Sequence, residues 1–189
     1  MIEIVSSTIA IRVRQVFAFL SARSFVRRQD GAAAVEFALV AAPFLALIFA
    51  IMETAFVFFA GQTLESAVAN SSRLIMTGQA QTSGLTQTTF KNAVCSQIVA
   101  MFDCQGGVYV NVQNYSAFAS ASTTPPYNNG QLDTSKMLYQ PGGPGDVVVV
   151  SLYYQWPIYI SLFDGNLANQ SGGNRLLIAT AAFRNEPYQ

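Results

Sequence analysis

The chain has 189 residues, with ten basic and ten acidic side chains and no histidine. Without histidine, Ser-His-Asp and Cys-His catalysis and the usual zinc sites are excluded. Basic residues are sparse after residue 61 and form no patch for nucleic acid, so we expect no nucleic-acid partner. The length allows a membrane anchor and at most one modest domain.

A basic segment opens the chain and precedes a long apolar run. Arginines outnumber acidic residues before Gly31: the segment holds Arg12, Arg14, Arg23, Arg27 and Arg28 against Glu3 and Asp30. By the positive-inside rule, this bias places the N-terminal side in the cytoplasm and the rest of the chain outside it.

The apolar run predicts a membrane-spanning helix. Residues 37–52 carry no charge, and the apolar run resumes after Glu53. This is longer than the apolar core of about 7–15 residues in a secretory signal peptide. A helix over 32–60 would be about 43 Å long, which is enough to cross a bilayer. A retained anchor is therefore favoured over a discarded signal.

The same helix is predicted to continue beyond the membrane. Residues 32 to about 76 predict one helix, because a weaker amphipathic pattern follows the apolar run. Pro43 predicts a kink, since proline removes one backbone hydrogen bond. Gly61 marks the expected exit from the bilayer, and the polar stretch 78–84 predicts a loop that ends the helix.

The remainder predicts a small α+β head. Apolar residues at helical spacing predict a second helix over 88–102. Apolar patterns typical of strands occur at 108–113, 147–154 and 175–184. Four successive valines in the second strand indicate a central position covered on both faces. Proline and glycine clusters predict a long exposed loop or two turns over 119–145. We expect the upper first helix and the second helix to pack on a mainly antiparallel sheet of about three strands.

Cys95 and Cys104 are the only cysteines. In an exported chain, an even number of thiols favours a disulfide, and the alternative is two buried free thiols. Closing so short a loop would stabilise the fold by roughly 2–3 kcal/mol.

Little other chemistry is indicated. The carboxylates outside the helix are isolated along the chain, so an acid pair of the glycosidase type could arise only through folding. Asp164 and the Gly-Asn pair after it suggest a calcium loop but lack its downstream glutamate, and a polar turn is the alternative. We expect no enzyme, no cofactor and no metal site.

The string from Gly31 to Phe44 (GAAAVEFALVAAPF) resembles the processing site of type IV pilin-like proteins, and the chain resembles the TadE-like family of the tight-adherence pilus. The resemblance extends to the segment between the two cysteines, to Gln155-Trp156-Pro157, and to the tail 183–188. It implies that a prepilin peptidase cuts between Gly31 and Ala32, which makes Glu36 the fifth residue of the mature chain.

The resemblance also implies three regions. These are a basic cytoplasmic leader that is cleaved off, a transmembrane part of the first helix and an exported α+β head, over 1–31, 32–60 and 61–189.

Glu36, the adjoining Phe37 and Glu53 are the residues predicted for helix packing in assembly. Cleavage would create a charged amine on Ala32, and Glu36 could face that amine in its own or a neighbouring chain. The alternative is a hydrated Glu36 near the membrane interface. Glu53 lies about 100° around the helix from Glu36. It is therefore expected either at the outer interface or bonded to a partner helix.

The implied function is that of a minor pseudopilin, a non-enzymatic assembly component of a tight-adherence (type IVc) pilus. The implied location is the inner membrane, with the head outside the cytoplasm. Implied partners are the membrane, the major pilin, sibling pseudopilins, prepilin peptidase and the inner-membrane pilus platform. Two alternatives stay open: an uncleaved single-pass membrane protein whose head binds an envelope ligand or partner, and an exported enzyme that uses only acidic residues or tyrosine.

Overall fold

The computed structural model describes residues 31–98, 103–158, 168–170 and 173–188. The predicted leader, apart from Gly31, and the calcium loop considered at Asp164 lie outside the described residues. By its internal packing the chain divides into two compact units, with the boundary between Ile48 and Phe49.

One long helix, α1, runs Ala32–Met76 and confirms the helix predicted from the sequence. It is helical through Pro43 and through Gly61. It ends where Gly78 adopts a φ of 77°, and the Gly78 N–H donates to the carbonyl oxygen of Ile75 over 3.0 Å. A left-handed glycine is a common helix stop, because it has no Cβ to oppose that conformation.

Three short helices follow α1. They are α2 (Gln79–Thr82), α3 (Gln87–Cys95) and α4 (Cys104–Gly107). The prediction of a plain loop after α1 is wrong at α2, where the polar stretch forms one helical turn.

The second predicted helix corresponds to α3, and its predicted C-terminal end is wrong. α3 begins at a capping box in which Thr86 and Thr89 each accept the other's backbone N–H. After Cys95, the N–H groups of Gln97 and Ile98 bond to carbonyls three residues back instead of four. This tighter pattern is typical of a helix end. Residues 99–102 of the prediction lie outside the described residues.

The main sheet has three antiparallel strands, as predicted. In chain order they are β1 (Val108–Tyr115), β4 (Val147–Pro157) and β5 (Asn174–Arg184), and β4 lies in the middle. All four valines of β4 are buried, which confirms the central strand covered on both faces. β4 ends at Pro157, three residues beyond the predicted end of this strand.

A small hairpin lies within the stretch predicted as an exposed loop. Its strands, β2 (Tyr127–Asn128) and β3 (Gln131–Leu132), are joined by Asn129 and Gly130, both with positive φ. This is the pairing that a two-residue Asn-Gly turn favours. Leu132 is buried against Tyr153 and Leu176 on one face of the main sheet. The prediction of an exposed loop is therefore wrong at this point, because the segment covers that face.

The other face of the sheet packs against α1. The buried residues of α1 repeat every three or four positions: Glu53, Val57, Ala60, Leu64, Ala67, Val68, Ser71, Ser72 and Ile75. We call them the α1 stripe. The apolar ones form one cluster with the alternating residues Val108, Val110 and Val112 of β1, Val148, Val150 and Leu152 of β4, and Leu177 and Ala179 of β5. A stripe at helical spacing meeting strand residues at spacing two is the usual helix-on-sheet core.

The outer edge of β1 is covered by residues 138–140. The Val112 N–H donates to the Leu138 carbonyl oxygen, and the Gln140 N–H donates to the Val112 carbonyl oxygen, both over 2.8 Å. The side chain of Asn111, which is 7% exposed, accepts from the Leu138 N–H over 2.9 Å. Covering an edge in this way prevents unwanted strand pairing there.

The C-terminal residues 185–188, here called the tail, close the end of α1. The Glu186 N–H donates to the Met76 carbonyl oxygen over 2.8 Å. The Asn185 side chain is 3% exposed, and its Nδ2 donates to the carbonyl oxygens of Pro141 and Gly143 over 2.9 and 3.0 Å. The tail therefore links α1 to the glycine-rich turn before β4.

Gly78→Ala tests this closure. A Cβ at Gly78 would overlap the ring of Tyr188 and would also sit on a left-handed residue. We expect the free energy of unfolding to fall by about 2–4 kcal/mol. Gly84→Ala is the matched control, since Gly84 also has a positive φ but an open Cβ position, and should cost about 1 kcal/mol.

Thermal and denaturant unfolding of the full chain in detergent would measure both losses. The additional replacement Tyr188→Ala should recover part of the loss in Gly78→Ala and none in Gly84→Ala. Equal losses for the two glycine variants would show that Tyr188 does not hold the end of α1.

Candidate membrane anchor and processing site

Gly31 occupies a position where nothing in the described structure requires glycine. A Cβ added there meets no atom within 4 Å, and its φ is not in the left-handed range. Gly78 differs on both counts, because its φ is positive and its Cβ position is blocked. The contacts and backbone conformation of the described residues therefore account for glycine at 78 but not at 31.

The residues after Gly31 form the first turns of α1 and are exposed. Ala32 is the first residue of the helix, and Glu36 follows one turn later. Residues four apart lie on one helix face, about 6 Å apart along the axis. Phe37, the other residue predicted for helix packing, is 75% exposed. Within the described residues, Glu36 and Phe37 therefore have no cover from the chain itself.

The first 28 residues of α1, 32–59, expose many large apolar side chains. Exposed large apolar side chains there are Val35, Phe37, Leu39, Val40, Phe44, Leu45, Leu47, Phe49, Ile51, Met52, Phe56, Phe58 and Phe59. Monomeric soluble proteins rarely expose so large an apolar surface. Of the helices in the described residues, α1 is the one whose length and composition suffice to cross a membrane.

Glu53 lies in a different environment from Glu36. It is 8% exposed and is the first residue of the α1 stripe. The sequence prediction for Glu53 was an outer interface or a bond to a partner helix. Its side chain is buried in the second unit, and both its position at the interface and its role in assembly stay predictions.

The disulfide predicted between Cys95 and Cys104 is present, with its Cα atoms 5.6 Å apart. It joins the end of α3 to the start of α4, and Cys104 belongs to the main core cluster. Two hydrogen bonds run alongside it: Lys91 Nζ donates to the Gln105 carbonyl oxygen over 2.8 Å, and Gln105 Nε2 donates to Asn92 Oδ1 over 3.1 Å. The disulfide and these bonds together fix α4 on α3.

A shallow groove of about 240 Å³ lies between α3 and β1. Lys91 lines it, 6.0 Å from the centre of the Tyr109 ring. Burial lowers the pKa of Lys91, and the nearby charge of Asp103 acts in the opposite direction. Its other lining residues are apolar or neutral: Gln87, Thr88, Val108, Val110, Thr134 and Met137.

No three His, Cys, Asp or Glu residues in the described part of the chain come together as metal ligands. The groove also contains no acid pair or nucleophile with a base. These observations supply no catalytic arrangement in the residues that the structure describes.

The sequence analysis missed the residues that close the helix end. Asn185 and Tyr188 were singled out only as part of a tail resembling the family, without a physical role. Tyr188 covers Gly78, and its hydroxyl donates to the Gly142 carbonyl oxygen over 3.4 Å. The pairing of a left-handed glycine with a distant aromatic residue leaves no local pattern, so only the fold reveals it.

The described structure is an α+β fold with a long apolar N-terminal helix, which is consistent with a single membrane span or a signal. Residues 31–73 match the family model described as TadE-like protein, a family associated with assembly of the Tad pilus. The matched segment begins at Gly31 and covers α1 to within one turn of its end. The family resemblance is thereby confirmed over this segment.

Comparison with curated proteins and with solved structures finds no match.

Removing the disulfide should destabilise the head. Cys95→Ser with Cys104→Ser is expected to lower the free energy of unfolding by about 2–3 kcal/mol, because the unfolded chain regains loop entropy. Ser96→Ala, next to the disulfide on an exposed turn, is the control and should change stability little. Denaturant unfolding of the full chain, with and without reductant, would measure this. A reductant effect that persists in the double serine variant would contradict the assignment.

Proposed function

We propose that the protein is a minor pseudopilin, a non-enzymatic assembly component of a tight-adherence (type IVc) pilus that prepilin peptidase processes after Gly31. The observation that carries the proposal is the combination at the start of α1. A glycine that folding does not require stands directly before an exposed apolar helix, and a glutamate follows at the fifth position after it.

The missing folding reason at Gly31 supports recognition by another protein. Glycine in or beside a helix is unfavourable by about 0.5–1 kcal/mol relative to alanine unless a turn or a close approach needs it. Neither need is found at Gly31 among the described residues. A peptidase that must bind the backbone closely would account for the residue, because glycine permits such an approach.

Electrostatics at the helix start support a role for Glu36 after cleavage. A new amine on Ala32 would add positive charge at the end of α1 where the helix dipole is already positive. A carboxylate one turn away, on the same face, offsets this charge in its own chain. The same carboxylate on a neighbouring chain can pair with the amine when the helices lie side by side.

In this proposal α1 anchors the protein in the inner membrane, with the head outside the cytoplasm. The exposed apolar surface over 32–59 is available first to lipid and then to the helices of the major pilin and sibling pseudopilins. Prepilin peptidase and the inner-membrane pilus platform are the other expected partners. The head, held by the α1 stripe and the disulfide, remains folded throughout.

Processing after Gly31 is tested by the mass and N-terminal residue of the protein recovered from membranes of its native host. The expected chain begins at Ala32. Gly31→Leu should abolish the shortened form, because a bulky side chain blocks the close approach of the peptidase. Gly61→Ala, a change at another open glycine of α1, should leave processing intact.

A wild-type chain that retains Arg27, Arg28 and Gly31 would contradict the proposal. It would favour the alternative of an uncleaved single-pass membrane protein with a ligand-binding or partner-binding head.

Glu36→Gln separates assembly from processing. The variant keeps the size of the side chain but cannot offset the Ala32 amine, so the chain should be cut normally and fail to support pilus formation. The loss of a charge pair worth about 1.4 kcal/mol would weaken the association of the helices about tenfold, so we expect clearly fewer piliated cells. Glu65→Gln, at an exposed position of the head end of α1, is the matched control.

Counting pili by electron microscopy, alongside the mass of the processed chain, would measure both effects. Normal piliation in Glu36→Gln would show that Glu36 is simply hydrated at the membrane interface.

A further inference from the structure

The outer edge of β1 is covered over only part of its length. Residues 138–140 bond to the backbone of Val112. Nearer the start of the strand, the shallow groove between α3 and β1 lies beside Val108, Tyr109 and Val110. All the residues that line this groove belong to the described part of the chain. The groove therefore lies along a strand edge.

Two hydrogen bonds show which backbone groups of β1 point into this edge. The Val110 carbonyl oxygen accepts from Gln87 Nε2 over 2.9 Å. The Val108 N–H donates to the Cys104 carbonyl oxygen. In an antiparallel ladder the N–H and the carbonyl group of one residue point to the same side. The Val110 N–H and the Val108 carbonyl oxygen therefore also point away from β4.

These two groups are open in the described structure. No described residue bonds to the Val110 N–H or to the Val108 carbonyl oxygen. They flank Tyr109, and one residue of a parallel strand could bond to both, through its own carbonyl oxygen and N–H. Backbone groups that stay unpaired at buried residues are costly, and Val108 and Val110 are 0% and 3% exposed. The edge therefore has room and need for a short added strand.

Lys91 supplies the one charge among the residues that line the groove. Its Nζ lies 6.0 Å from the centre of the Tyr109 ring and donates to the Gln105 carbonyl oxygen over 2.8 Å, which leaves two of its three donors. Asp103 lies near enough for its charge to act on Lys91, but its Oδ1 accepts from the Gly106 N–H. Among the described residues Lys91 forms no ion pair. A cation thus stands beside the open part of the edge.

We propose that this groove binds an extended segment of a partner protein that carries an acidic side chain opposite Tyr109. The segment runs parallel to β1, as residues 138–140 already do. The N–H and the carbonyl oxygen of one bound residue pair with the Val108 carbonyl oxygen and the Val110 N–H. Opposed residues of neighbouring strands point to the same face of a sheet. The acidic side chain therefore lies beside the Tyr109 ring, within reach of Lys91.

The open acceptor distinguishes a peptide from a small anion. A free anion could pair with Lys91 and the Val110 N–H, but it would leave the Val108 carbonyl oxygen without a donor. An extended chain supplies a donor, an acceptor and a charged side chain together, which is how peptides add to a sheet edge. The inference does not depend on processing at Gly31, because the groove lies wholly in the head.

Three synthetic peptides test the proposal with the full chain in detergent. The probe is Thr-Val-Glu-Val-Thr-amide with a fluorescent label at its N-terminus, because β-branched residues favour an extended chain. A second peptide has glutamine in place of glutamate, and a third carries a methyl group on the glutamate nitrogen. We expect each of the two controls to bind about tenfold or more weakly, since each loses one bond to the groove. Fluorescence anisotropy would give the three dissociation constants.

Two lysine variants identify the cation. Lys91→Met removes the charge but keeps a long side chain, so it should abolish the preference for the glutamate peptide over the glutamine peptide. Lys136→Met is the matched control, because it changes the one other lysine of the chain, which does not line the groove. It should keep the preference.

Thr88→Trp tests the groove without changing Lys91. Thr88 lines the groove at an exposed position of α3, so a large ring there should block the probe while the core stays intact. Binding that survives Thr88→Trp, or a preference that survives Lys91→Met, would overturn the proposal. Absence of binding by the probe would also overturn it, as would equal binding of the probe and either control peptide. A probe that binds no better than its methylated form would indicate a simple anion site.

Discussion

The structure depends on the use of one helix for two purposes. α1 is a single helix of 45 residues, and its buried residues all lie at or after Glu53. A helix that is apolar all round suits lipid or partner helices, whereas a helix with one buried stripe suits a sheet. Both patterns occur in one continuous helix. The first residue of the α1 stripe, Glu53, therefore marks where α1 begins to pack against the rest of the head.

Local patterns were sufficient to predict much of the fold. The end of α1 could be predicted from the polar, glycine-containing stretch after it, and the central strand from its four valines. The disulfide could be predicted because the chain has only two cysteines. These features depend on composition and spacing along the chain, which a sequence displays directly.

The features that sequence reasoning missed depend on contacts between distant segments. α3 was predicted too long because the apolar pattern continues, while the backbone has already changed to tighter bonds near Cys95. The segment before β4 was predicted as exposed, although Leu132 covers one face of the sheet. Asn111 alternates with the valines of β1 and is nevertheless buried, because residues 138–140 lie beside it. In each case the segment that makes the deciding contact is distant in sequence. The local hydrophobic periodicity therefore does not predict that contact.

At the candidate site, too, some features could be predicted from the sequence and others required the structure. Gly31, Ala32 and Glu36 could be located from the sequence, because their spacing is local and the family resemblance covers it. The structure adds that no described residue approaches the Cβ position of Gly31 and that its φ is not left-handed, which the sequence alone does not show. The structure also shows that Glu36 is exposed and Glu53 is buried, although they have the same side chain and lie on the same helix.

The difference in burial between Glu36 and Glu53 is relevant to assembly. A carboxylate in an apolar spanning helix needs compensation, either from its own chain or from another. Glu53 is buried at the start of the α1 stripe, so the fold of the second unit supplies its surroundings. Glu36 is exposed, and within the described residues the chain supplies it with no cover. None of the described residues of the head compensates Glu36, so its candidate partners are water at the interface, the amine that cleavage would create, and a neighbouring helix. The amine would connect the charge to processing, because it exists only in a chain that begins at Ala32, and a neighbouring helix would connect it to assembly.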